Sequence, residues 1–155
     1  MGFFDKIKAA ANAVTGGGVN VYVECDPLAF ATPMKVKIKV QTKDTLVKID
    51  RVYLKIQGVE RVEVQNADYH RMQNSNGVNY AETVRASYIT IERDLTVADG
   101  QELEANTPYE WTCKIELPSD APTVYRGRMC THTYQIQAGL DSFGNDPDSG
   151  WIELN

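Results

Sequence analysis

Apolar and polar positions alternate one by one along most of this chain. Val19, Val21, Val23 and Cys25 share one side of an extended segment, and Met34, Val36, Ile38 and Val40 share one side of the next. A period of two marks a strand with one buried face. Val47, Ile49, Val52, Leu54 and Ile56 continue it, with a phase slip at Asp50–Arg51 that predicts a bulge or a corner. Gly58 predicts another, ahead of Val59, Val62 and Val64. Residues 84–97 read as β again. There Ile89, Ile91, Leu95 and Val97 fail to keep to one face, which implies a register change or burial on both sides.

The stretch from Thr107 to Leu140 is the most informative. Trp111, Cys113, Ile115 and Leu117 alternate with polar residues, Pro118 to Pro122 break the pattern, and Cys130, Tyr134, Ile136, Ala138 and Leu140 resume it. Asp99-Gly100 reads as a turn, Asn66 to Asn79 as a long polar loop or hairpin tip, and Trp151, Ile152 and Leu154 as a short closing strand. Strands with one oily face need a second layer, so the expectation is all-β, a single antiparallel β-sandwich over residues 19–155. Ahead of it, Phe3, Phe4, Ile7, Ala10, Ala11 and Val14 fall at helical spacing. Gly16, Gly17 and Gly18 end that pattern, so residues 1–18 read as a short amphipathic helix on a glycine joint.

The strand end Leu117-Pro118-Ser119, followed by Thr133-Tyr134-Gln135-Ile136-Gln137-Ala138-Gly139-Leu140-Asp141, is similar to the arrestin-type, immunoglobulin-like sandwich. In that family an x-Leu-Pro-x strand end precedes a Tyr-x-Ile/Leu-x-Ala-x-Leu-Asp strand. The opening Met1-Gly2-Phe3-Phe4-Asp5-Lys6-Ile7-Lys8 resembles that of the bacterial sporulation-control proteins sharing this fold. The resemblance implies a non-catalytic adaptor or scaffold, and not an enzyme. Arrestin-like proteins usually pair two sandwiches. These 155 residues have room for one.

Charge and cysteine count narrow the partners. The net charge is −5, which argues against nucleic acid as a partner. It is unevenly spread: ten Lys/Arg against six Asp/Glu through Arg61, then six against fifteen. That asymmetry favours head-to-tail or self association. Three cysteines without a leader-like apolar run read as reduced thiols in a cytoplasmic protein.

Candidate chemistry is sparse. Cys130 and His132 lie two apart on one strand, with Cys113 on the strand before, a pattern that suits a thiol nucleophile and its base or part of a zinc site. They share a face with Tyr134 and Ile136, so buried packing is the expected role, with no catalytic residue, cofactor or metal. Asp141, Asn145, Asp146 and Asp148 before Gly150 offer oxygen ligands for calcium, against the simpler reading of a solvated loop. His70 falls in the polar loop.

Lys35, Lys37 and Lys39, with Lys43 and Lys48, form a basic rib suited to an acidic or phosphorylated peptide or to anionic lipid, against a purely solubilising role. The family receives phosphates on basic residues of its first sandwich, which adds to the peptide reading. The expected role is an adaptor that binds a protein partner through a sheet edge or loops, with homo-oligomerisation as a further expectation. The candidate contact residues are Lys35, Lys37, Lys39, Phe3, Phe4 and Ile7. The alternatives are a membrane-peripheral protein, touching the bilayer weakly through the N-terminal helix and the rib, and a structural subunit of a larger assembly.

Overall fold

The computed structural model describes residues 18–64, 83–144 and 146–155. The helix expected around Phe3, Phe4 and Ile7, the polar loop with His70, and Asn145 lie outside the described residues.

Eight strands form in chain order among the described residues: β1 (Val19–Cys25), β2 (Met34–Thr42), β3 (Val47–Val64), β4 (Val84–Leu103), β5 (Pro108–Ile115), β6 (Tyr125–Arg126), β7 (Cys130–Ser142) and β8 (Ile152–Leu154). They make two sheets. The smaller runs β1-β2-β5, the larger runs β4-β3-β7-β6, and β8 also pairs with β7. Every ladder is antiparallel. The chain crosses between layers after β2, after β4 and after β5, so the two sheets are interleaved along the sequence.

The alternation read from the sequence is what seals the layers. Val21, Val36 and Ile38 of the small sheet meet the same apolar cluster as Leu54, Ile56 and Ile136 of the large one, all almost wholly buried. Each such side chain contributes roughly 1.5–3 kcal/mol on burial. Tyr134 lies in the same core and donates its hydroxyl to the Pro122 carbonyl at 2.6 Å.

The register breaks fall where the pattern slips. Asp50 is the extra residue between the Ile49–Ser142 and Arg51–Asp141 pairs. Val97 is extra opposite Val52/Tyr53, and Thr90 is extra opposite Gly58/Val59. These bulges explain why the apolar residues of β4 looked two-faced. Asp99-Gly100, expected as a turn, is instead continuous strand within β4. A Cβ on Gly100 would sit 3.0 Å from the Ile49 carbonyl oxygen and 3.1 Å from that of Asp50. This glycine serves a close approach of two backbones at the Asp50 bulge.

Candidate partner-binding surface

Cys130 and His132 do share a face of β7, and their partners show what each does. His132 Nδ1 lies 3.0 Å from the Thr123 carbonyl oxygen, which can only accept, so Nδ1 carries a proton. In the neutral ring Nε2 then accepts from the Thr90 hydroxyl at 2.7 Å. The ring is 6% exposed and packs edge-on against Tyr134. His132 and Tyr134 together fasten the loop between β5 and β6 over the end of the core.

Cys130 Sγ points at Glu60 Oε1, 3.6 Å away, and burial, then the hydrogen bond and charge of Glu60, push its thiol up. Cys113 lies in the other sheet, where burial raises its thiol too. Cys25 is pushed up to about 11 by burial, then by Asp26 and Cys113. Thiols held this way stay protonated near neutrality, the opposite of what a nucleophile or thiolate ligand needs. Among the described residues no group of three or more His, Cys, Asp or Glu side chains is placed to hold a metal ion. In the acidic loop, Asp146 accepts from the Ser142 amide, Asp148 from the Gly150 amide, and Asp141 from Arg51.

Past His132 the inner face of the large sheet continues with no covering strand among the described residues. Tyr88, Glu60, His132 and Tyr125 are paired directly across four strands, so they form one row on one face. Ala86, Val62 and Cys130 form the next row outward. Tyr88 is 70% exposed. Of the nine large hydrophobic side chains exposed among the described residues, six belong to this end: Val84, Tyr88, Ile89, Val124, Tyr125 and Met129. Beside the row runs the free edge of β4, which among the described residues pairs with β3 alone. Its segment from Ala86 to Ile91 carries no charge, between Arg85 and Glu92. The sequence showed these apolar positions but not that the small sheet stops short of them.

The lysine rib stands on the outward face of the small sheet, as expected from alternation. Lys37 reaches Glu110 at 3.6 Å and Lys39 reaches Glu24 at 2.7 Å, while Lys35 is set opposite Lys114. Two of the three rib lysines therefore have carboxylates beside them. Phe3, Phe4 and Ile7 lie outside the described residues.

A polar network on the outer face of the large sheet was not foreseen. Arg51 pairs with Asp94 at 2.8 Å and with Asp141, and Lys55 lies 4.0 Å from Asp94. Arg51 and Lys55 both stand over the Tyr53 ring. Tyr53 is pushed up to about 12 by burial, then by Asp148, Asp141 and Asp146. The residues are far apart in sequence, and only the strand register brings them together.

The family model for "Arrestin (or S-antigen), N-terminal domain" matches residues 34–149. The chain belongs to the arrestin family. The arrestin-type fold also matches the crystal structure of Spo0M, a sporulation control protein from Bacillus subtilis, with a TM-score of 0.60 and 13% identity. That match covers 89% of this chain and 49% of that one, so this arrestin-family chain spans about half the length of the Bacillus protein. A structural-genomics target solved by X-ray crystallography matches with a TM-score of 0.36 and 10% identity, over 90% of this chain and 88% of that one. No curated protein matches the sequence. The arrestin-type fold is a non-catalytic adaptor type, in keeping with thiols that are raised rather than activated.

Proposed function

We propose that this arrestin-family chain is a non-catalytic adaptor that takes a protein partner at the overhanging end of its large sheet. One observation carries this reading: among the described residues the uncharged β4 edge from Ala86 to Ile91 has no partner strand and lies beside the exposed apolar side chains Val84, Tyr88 and Ile89. An exposed edge offers backbone donors and acceptors to an added strand, and alternate side chains of that strand find the surface on either side. The other edges serve less well. β1 and β5 are seven and eight residues long, β5 opens on Pro108, and β6 and β8 are shorter still. The bulge at Thr90 ends the regular ladder, so an added strand has room from Val84 to Ile89.

The test is affinity capture of partners followed by mass spectrometry, with the wild-type chain and with Ile89→Lys as bait. Ile89 is exposed, so the variant keeps its fold, checked by its melting curve. Specific partners are expected to be lost from the variant by tenfold or more, on the order of 1.4 kcal/mol. Equal capture by both baits would overturn the assignment to this edge. A membrane-peripheral role resting on the rib draws less support, since Lys37 and Lys39 lie against glutamates.

A further inference from the structure

We propose that two copies of this chain pair antiparallel along their β4 edges, with a two-fold axis passing between the two Tyr88 residues. The proposal rests on the partner-binding reading of the β4 edge and names a second copy as the strand that this edge takes. The first observation is that the edge is open. The six residues from Val84 to Ile89 are all exposed, those on the outer face of the sheet as well as those on the inner. Among the described residues β4 has no neighbour beyond β3. Sheet edges are usually guarded by lysines or prolines, and the run from Ala86 to Ile91 holds neither.

The second observation is that the edge is complementary to itself. Arg85 and Glu92 are seven residues apart, so a regular strand would set them on opposite faces. The extra residue Thr90 undoes that: Arg85 lies across from Glu63 and Glu92 across from Gln57, both on the outer face. Turned about Tyr88, the strand matches a copy of itself. Ser87 meets Ile89, Ala86 meets the Thr90–Ile91 bulge, and Arg85 meets Glu92 at each end. A two-fold axis perpendicular to the sheet keeps outer face beside outer face, as one continuous sheet requires. The charges are available for this. Arg85 gives Nε to Glu63 at 2.9 Å, which leaves its Nη donors, and Glu92 holds the Gln57 amide at 2.7 Å with no ion pair among the described residues. A slip of two residues would offer Arg85 to Asp94 instead, and Arg51 already holds that carboxylate at 2.8 Å. On the inner face the two exposed Tyr88 rings come side by side across the axis.

Sedimentation of the full chain over a wide concentration range reads this out, and the expected result is a dimer and nothing larger, because an isologous contact closes at two copies. Arg85→Glu and Glu92→Arg each set like charges opposite one another at both ends of the ladder. Each is expected to weaken the dimer by about tenfold or more. Mixed, the two variants regain opposite charges at both ends and should pair with each other at close to the wild-type strength. Both side chains are exposed, and melting curves confirm that both variants are folded. A wild-type chain that stays monomeric or grows past two copies would overturn the proposal, and so would variants whose mixture pairs no better than either alone. Capture of other proteins that is lost with Ile89→Lys, beside a wild-type chain that sediments as a monomer, strikes the dimer and leaves the adaptor reading standing. Equal capture by both baits, beside a dimer that obeys the charge exchange, does the reverse.

Discussion

At Gly58 the absence of a side chain is used three times over. A Cβ there would meet Thr90 Oγ1 at 2.6 Å, Ile91 Cγ2 at 2.9 Å and Tyr134 Cε1 at 3.0 Å. The bulge puts Thr90 and Ile91 together over the glycine, and from there the Thr90 hydroxyl reaches His132. Gly58→Ala is therefore expected to cost about 1–3 kcal/mol through overpacking. The check is the urea midpoint, with Thr90→Ala as a second background. With the Thr90 side chain, whose Oγ1 is the nearest atom, taken away, Gly58→Ala should cost less than it does in the wild-type chain if the crowding is local. A midpoint unchanged by Gly58→Ala would show that the hydroxyl and ring simply step aside.

At the scale of elements, β4 is fastened to the middle of its sheet by more than its ladder. Arg51 on β3 holds Asp94 on β4 and Asp141 on β7, so one guanidinium ties three neighbouring strands. The hydrogen bond from Arg51, ahead of its charge and that of Lys55, holds the Asp94 carboxyl below its ordinary 3.8. A depressed carboxylate contributes stability that is full above its unfolded pKa and is lost as pH falls through the lower folded value. Urea midpoints should therefore decline on acidification below about pH 4. Arg51→Met should shrink that decline while lowering the neutral-pH midpoint. The site is partly exposed, so the effect is a modest one.

The same elements show how far the sequence could be read. β1, β2, β5 and β7 were legible because one face of each is sealed and their period of two runs unbroken. The slips at Asp50 and Gly58 were legible as breaks in that period. β4 was recognised as strand but ended early at Val97. Its continuation through Gly100 depends on a backbone approach that no side-chain pattern records. The burial of His132 was read from its face, while its Thr90 and Thr123 contacts were not, and Cys130, expected to be buried with it, is only half-buried beside Glu60. The overhang was hidden for a simpler reason: whether a face is covered depends on where the other sheet stops.

At the scale of the whole molecule, the two sheets divide the work. The small sheet carries paired charge on its outward side, and the large one extends past it with an oily end and a free rim. No helix among the described residues is long and apolar enough to cross a membrane.

Phe143, 104% exposed beside Gly144 at a φ of 90°, has a last consequence. A bulky aromatic on an open loop is what chymotrypsin needs, and brief digestion should nick the described part of the chain there first. The severed tail would still have places to hold: Leu140 donates to Pro147, Ser149 to Ala138, Ile152 pairs with Ile136, and Leu28 donates to Asn155. The cut protein should then run as one particle on a sizing column and as two peptides on a denaturing gel. That would make residues 144–155 a piece that can be exchanged for a synthetic, labelled copy.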